Sequence, residues 1–205
     1  MINIDAFPLL EVEDFLAQVP EVSRQSMSLA MNDTLSGPGL TVYRQSMLAQ
    51  VDFGHGYLDD DRLGMTKRAT PQRLEAVITG RHRPTSLARF ARSQATGQKG
   101  GVRVQVKPGR SRTIKRGFLV RLRAGKVLDD SNFNVGLALR LKPGERIVNK
   151  NTAAKTAQLA PNVYLLYGPS VDQVLTSVAE SDTPQVLDKL EAEFLRQFVR
   201  LSDAA

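Results

Sequence analysis

The sequence predicts an α+β fold: a largely antiparallel sheet with long loops or arms, and helices at the N- and C-terminal ends packed on one face. Two patterns predict this fold. Apolar residues recur every three or four positions near both ends of the chain, and they alternate with polar residues through its middle. A length of 205 residues suits a single domain. Its parts are an N-terminal helical part (1–53), a basic sheet part (54–168) and C-terminal helices (169–205).

Three stretches of the N-terminal part have helical spacing. The apolar residues of the first are Val12, Phe15, Leu16 and Val19. The second runs from Pro20 to about Leu35. Because proline suits a first helical turn, the two stretches are either two short helices or one kinked helix. The segment 36–39, Ser-Gly-Pro-Gly, predicts a break. A third helix is expected to carry Val42, Tyr43, Met47 and Val51.

The middle of the chain predicts strands at 74–79, 102–107, 118–123 and 135–142, because apolar residues there alternate with polar ones. In the last three strands, several of the alternating positions are basic. We predict that these bases share the outward face of the sheet and form a contact surface. Its residues are Arg103, Lys107, Arg121, Arg123, Arg140 and Lys142. The segments 93–101, 124–134 and 149–161 are rich in Gly, Ser, Asn and Thr, which predicts mobile loops or arms.

The C-terminal part predicts two helices. Ser170 can cap the first, whose apolar stripe is Val171, Val174, Leu175 and Val178. Thr183 and Pro184 are expected to start the second. Its apolar stripe is Leu187, Leu190, Phe194, Phe198 and Leu201.

The charge of the chain is concentrated in one segment. Residues 62–126 contain 18 Lys or Arg and a single acid, Glu75, whereas the whole chain has a net charge of only +7. Such segregation favours a polyanion or an acidic protein surface as partner. A solvated sheet face is the alternative interpretation.

Residues able to support catalysis or bind a metal are few. Cysteine is absent, which excludes disulfides and thiolate chemistry. His55 precedes Asp59, Asp60 and Asp61, whose oxygens suit a hard cation, but three adjacent acids cannot all face one ion. His82 lies between two arginines, where a surface role is expected. The sequence therefore predicts no enzyme, cofactor or metal, and it has no apolar stretch of the length that a membrane helix needs.

Several segments, in this order, resemble the minor tail protein Z family of tailed phages, also described as tail completion or neck proteins. They are a helix bearing Ala30, Asn32 and Thr34, then Gly56-Tyr57-Leu58, Leu74–Ile78, Arg83–Phe90 (RPTSLARF), Arg116–Leu119 (RGFL) and Leu166–Val171 (LYGPSV). The motif positions with structural roles are Arg83, Pro84, Leu87, Phe90, Gly117, Phe118, Tyr167, Gly168, Pro169 and Ser170. In the last motif, Gly168 and Pro169 end a strand and Ser170 begins a helix.

The resemblance implies a structural virion protein of the head-to-tail junction, made in the host cytoplasm and assembled as a ring. It implies a tail terminator or tail tube protein and a head connector or stopper protein as neighbours. Genomic DNA in the channel would be a further, non-specific contact. A cytoplasmic protein that binds nucleic acid without sequence preference is the alternative, supported by the basic segment. A metal-dependent hydrolase built on His55 and the acids 59–61 is a third hypothesis.

Overall fold

The fold was described from a computed structural model, which describes residues 2–3, 21–59, 61–92, 101–123, 133–147 and 156–203. The helices are α1 (Glu21–Ser36), α2 (Pro38–Gln50) and α3 (Val171–Ser202), with a short 3-10 helix at Leu87–Phe90. The strands are β1 (Ile2–Asn3), β2 (Leu63–Lys67), β3 (Val77–Gly80), β4 (Val102–Lys107), β5 (Arg110–Ile114), β6 (Gly117–Arg123), β7 (Phe133–Arg140), β8 (Thr156–Ala160) and β9 (Val163–Leu166). The chain divides into two compact units.

Unit 1 comprises residues 1–48, 58–82 and 171–205. It contains the three α-helices and an antiparallel sheet in the order β1-β3-β2. The α1 helix packs on α3, and the buried residues of α1 include Met27, Ala30, Met31 and Leu35. Asn32 ties α1 to the segment after β2, since its side-chain amide donates to the Ala69 carbonyl (3.0 Å) and its carbonyl accepts from the Ala69 N–H (2.8 Å).

Unit 2 comprises residues 49–57 and 83–170 and is mainly β-structure. Its strands form a β4–β5 hairpin and an antiparallel sheet in the order β6-β7-β9-β8. The 3-10 helix packs against β4 and β7. Leu137 and Ala138, at the centre of the four-stranded sheet, are fully buried.

The predicted α+β class is confirmed: helices near both ends of the chain and antiparallel sheets between them. The strands are divided among three small sheets. The break at 36–39 is confirmed, because α1 ends at Ser36 and α2 begins at Pro38. The strand expected at 74–79 begins only at Val77, and β2, β5 and β8 were not predicted. The helix expected around 12–19 lies outside the described residues.

The prediction of mobile segments falls mostly outside the described residues, at 93–100, 124–132 and 149–155. For the third segment it is wrong at residues 156–160, which form β8 and pair with β9. The alternation there is hidden, because Thr156, Ala157, Gln158 and Ala160 are small or polar. This strand lies at the edge of the sheet, where apolar side chains are not required.

The prediction that a new helix starts at Thr183 is wrong. The α3 helix continues through Pro184 for 32 residues. Pro184 has no N–H, so the helix lacks one backbone hydrogen bond at this position. The residue before it, Thr183, adds a side-chain hydrogen bond, because its hydroxyl donates to the Ala179 carbonyl at 2.7 Å. Packing on α1 thus outweighs the local preference of Pro184 for a helix start.

The apolar stripe of the second half of α3 is also only partly buried. Leu187, Leu190, Phe194, Phe198 and Leu201 are all of intermediate exposure. The residues buried in this half are Val186 and Gln197, so the packed side of the helix is rotated from the centre of the apolar stripe. Leu195 and Val199 are more than half exposed.

Candidate contact surface and motif junction

Two motif segments that are 80 residues apart in the sequence lie side by side in unit 2. The Gly168 N–H donates to the Thr85 carbonyl at 2.8 Å, and the Thr85 N–H donates to the Pro169 carbonyl at 3.4 Å. Ser86 and Tyr167, next to these bonds, form an antiparallel bridge. We call this pairing of Arg83–Phe90 with Tyr167–Ser170 the motif junction.

An aromatic cluster supports the motif junction. Phe90 is 3% exposed, and its ring lies 6.0 Å from that of Phe53, which stacks on Tyr57 at 5.3 Å. The Tyr57 hydroxyl donates to the Thr85 hydroxyl at 3.1 Å. A Cβ at Gly168 would lie 3.0 Å from the Phe90 ring, so this position has no room for a side chain. Arg83 and Pro84, in contrast, are exposed.

The Arg116-Gly117-Phe118 motif forms the entry to β6. Arg116 has a positive φ of 63°, and a Cβ at Gly117 would lie 3.0 Å from the Ile114 side chain. Phe118 faces the guanidinium of Arg140, whose carbon lies 5.6 Å from the ring centroid. The motif therefore makes a tight turn between β5 and β6.

The six bases predicted as one contact surface lie on two sheets. Arg103 and Lys107 belong to β4, Arg121 to β6 and Arg140 to β7, and Lys142 follows β7. Each of these five side chains is exposed. Arg123 is in β6, and its side chain lies outside the described part of the chain.

The prediction that these bases share one face is wrong for the four-stranded sheet. Arg121 pairs with Val135 across β6 and β7, whereas Arg140 is five residues from Val135. Side chains alternate between faces along a strand, so an odd separation places Arg121 and Arg140 on opposite faces. Sequence alternation gives the face of each strand but not the register between strands.

The structure adds bases that alternation did not select. Arg110 and Arg112 lie on β5, where every residue except Ile114 is exposed. In the described part of the chain, no ion pair or side-chain hydrogen bond involves Arg103, Lys107, Arg110, Arg112 or Lys115. In the sequence, only the high density of bases in this segment pointed to these residues. A strand with polar residues on both of its faces has no apolar alternation by which it could be predicted.

Other bases of unit 2 are paired with carboxylates. Arg92 contacts Asp52, which also accepts a hydrogen bond from the Gln105 amide at 2.7 Å. Arg116 makes a two-pronged contact with Glu145, at 2.7 and 2.8 Å. The guanidinium and the Lys142 N–H together lower the pKa of Glu145 from its ordinary 4.5 to about 2.

Charge is segregated between the two units. Unit 1 contains 17 acids and 10 bases, a net charge of −7, whereas unit 2 contains 4 acids and 18 bases, a net charge of +14. The basic character of the chain is therefore a property of the β-rich unit. The positive electrostatic potential that results from this net charge attracts anionic partners.

Among the described residues, those considered for catalysis or metal binding are not grouped as a metal site. His55, Asp59 and Asp61 are exposed, and Asp60 lies outside the described residues. Within the ranges that the structure describes, no group of three His, Asp or Glu side chains is arranged to hold a metal ion. His82 is exposed and its Nδ1 lies 3.0 Å from a carboxylate oxygen of Asp172.

Comparison of the chain with known protein families, with curated proteins and with solved structures finds no match in any of the three. Among the described residues, no helix has both the length and the apolar composition needed to cross a membrane.

Proposed function

We propose that this chain is a structural protein of a phage head-to-tail junction, a tail completion or neck protein that finishes the tail and joins it to the DNA-filled head. The motif junction is the observation that carries this proposal. The segments RPTSLARF and LYGPSV, which resemble the phage family in sequence, pair directly with each other between Thr85 and Pro169. Residues selected for resemblance alone have no reason to be neighbours in space, so their pairing is independent support.

The surfaces of the chain suit an adaptor in an assembly. One unit is acidic and the other strongly basic, and complementary charges orient proteins as they dock. The exposed Leu195 and Val199 add an apolar spot on α3. As a self-assembling ring, the chain would present such surfaces to its own copies, to the tail terminator or tube, and to the head connector.

The test is a phage in which the gene for this chain is deleted. We expect DNA-filled heads and full-length tails that fail to join, or that join without delivering DNA. Purified protein added to the lysate should restore infectivity without added nucleotide or metal. Electron microscopy and plaque counts measure both outcomes. Empty heads or missing tails would place the chain at an earlier step, and normal infectious particles would refute the junction role.

A paired set of variants connects this test to the motif junction. Phe90→Ala removes the buried ring against which Gly168 packs, whereas Gln185→Ala changes an exposed, uncharged residue of α3 far from the motif in sequence. Phe90→Ala protein should fail to restore infectivity, and Gln185→Ala protein should restore it. Circular dichroism of both proteins separates loss of folding from loss of joining.

A further inference from the structure

We propose that the β4–β5 hairpin is a binding site for duplex DNA that contacts phosphates without reading the base sequence. As a contact to DNA in the channel, this inference rests on the proposed function, although binding itself can be measured on the purified chain. The hairpin runs from Val102 to Ile114 and contains four bases and no acid.

The exposed side chains of the hairpin are types that contact phosphates. On β5 these are Arg110, Ser111, Arg112 and Thr113, and Arg103 and Lys107 are exposed on β4. Guanidinium, ammonium and hydroxyl groups supply most protein contacts to the DNA backbone. Lys115 extends the set immediately beyond the hairpin.

These cations are available for a ligand. Within the described ranges they make no ion pair, whereas Arg92 and Arg116 of the same unit are neutralised by Asp52 and Glu145. A base that is already paired with a carboxylate gains less electrostatic energy from contact with a phosphate. Among the described bases of unit 2, those of the hairpin and Lys115 are therefore exposed and without an ion pair.

The hairpin is held on one side and open on the other. Val102 and Val104 of β4 are buried, and β4 accepts hydrogen bonds at its Arg103 and Val106 carbonyls from the Arg92 and Asp52 N–H groups, at 2.9 and 2.8 Å. In the described part of the chain, β5 pairs with β4 alone. A two-stranded ribbon of this kind has the width that the major groove of B-DNA admits.

DNA fits this surface better than an acidic protein does. Protein interfaces depend on an apolar centre, but every exposed side chain of β5 is basic or a hydroxyl. Single-stranded nucleic acid is also disfavoured, because the hairpin contains no aromatic ring on which a base could stack. Backbone contact to a duplex needs only the groups that are present.

The experiment measures binding of a 30-base-pair duplex to the purified full-length chain by fluorescence anisotropy at several salt concentrations. The test variant changes Arg103, Lys107, Arg110 and Arg112 to Gln. We expect its affinity to fall at least tenfold, and the slope of log K against log salt to become shallower by about 3–4, since each phosphate contact contributes about 0.9. Two duplexes of unrelated sequence should bind the wild-type chain equally.

A matched control changes four bases of unit 1, Arg24, Arg68, Lys189 and Arg200, to Gln, which alters the net charge equally. This control should retain duplex binding. A second hairpin variant, with Arg103, Arg110 and Arg112 changed to Lys, should also retain binding and should keep the hairpin folded and soluble. Equal losses of duplex binding in the hairpin and control variants would refute the site. Binding of polyglutamate, an acidic polypeptide, is measured in the same way. A hairpin variant that loses binding to polyglutamate but keeps binding to DNA would also refute the site. Because no virion is involved, failure here leaves the deletion test of the junction role unaffected.

Discussion

At the scale of single residues, close packing at Gly168 gives a sharp prediction. Gly168→Ala places a methyl group 3.0 Å from the Phe90 ring, which is buried and cannot move away freely. We expect a loss of about 1–3 kcal/mol in the free energy of unfolding, measured with urea. Gly54→Ala is the control, since nothing lies within 4 Å of a Cβ there. A loss at Gly54 equal to that at Gly168 would contradict this account.

The Arg116–Glu145 pair predicts a dependence of stability on pH. The pKa of Glu145 is lowered to about 2 in the folded chain, so the stabilising effect is complete above about pH 4.5 and is lost as the pH falls toward 2. Glu145→Gln should therefore be less stable than wild type at pH 7, and the difference should shrink across that acidic range. Urea unfolding at pH 7, 4 and 3 measures it, and Glu180→Gln, at an exposed site in α3, should show no such trend. A difference that grows on acidification would exclude the pair as its cause.

At this scale the sequence motifs contain both buried residues and the exposed Arg83 and Pro84. Gly168 and Phe90 were selected by their motifs and are buried neighbours. The common face for Arg121 and Arg140 was wrong, because register depends on pairing between strands that no local pattern records.

At the scale of elements, α3 shows how tertiary packing overrides local preference. Pro184 removes one backbone hydrogen bond from the middle of a 32-residue helix. Pro184→Ala should therefore stabilise the chain by about 1–2 kcal/mol, less than the full helix penalty because the unfolded chain also becomes more flexible. Thermal and urea unfolding measure the change. A destabilised variant would mean that the helix requires the bend or rigidity that proline imposes.

The packed side of α3 can be tested by two valine substitutions. Val186 is 2% exposed and Val199 is 57% exposed, although both lie in the same half of the helix. Val186→Ala should cost about 1.5–3 kcal/mol of unfolding free energy and Val199→Ala no more than about 0.5 kcal/mol. Equal costs would show that the side of α3 with Val199, and not only the side with Val186 and Gln197, packs on the rest of unit 1.

The strand at 102–107, which has a strong period, was predicted with its correct bounds. The helix at 21–36 was expected from Pro20, although four of its eight buried residues, Ser23, Ser26, Ser28 and Thr34, are polar. Strands β5 and β8 were missed because their side chains are almost all exposed, so no alternation between buried and exposed positions is written in them. The hairpin that carries the proposed DNA site could for this reason be identified only from the structure.

At the scale of the whole molecule, unit 2 is largely an insertion into unit 1. The chain leaves unit 1 after His82 and returns at Val171, and within unit 1 the Asp172 N–H donates to the Arg81 carbonyl at 3.3 Å. The two points of attachment are therefore adjacent. Neighbouring ends are what allow one folding unit to be inserted in another.

This arrangement predicts that unit 1 folds without the insertion. Residues 83–170 are replaced by a short Gly-Ser linker, with Phe53 and Tyr57 changed to Ser because Phe53 loses Phe90 and Tyr57 loses the Thr85 hydroxyl. The shortened chain should keep the helical circular dichroism of α1, α2 and α3 and should unfold cooperatively on heating. The same chain with Ala30→Asp, at a fully buried position, should not fold. Loss of helix in the shortened chain alone would show that unit 1 depends on unit 2.

The adjacency of residues 81 and 172 also bears on the order in which the chain folds. Packing of α3 on α1 requires the chain to close a loop that includes all of residues 83–170. If the insertion folds first, pairing between Thr85 and Gly168 brings its ends together, and the effective loop shortens about threefold. The entropic free-energy cost of closing the loop then falls by about 1 kcal/mol. The rate at which α3 docks on α1 rises accordingly. During synthesis on the ribosome the insertion emerges before α3, so the favourable order is also the order of translation.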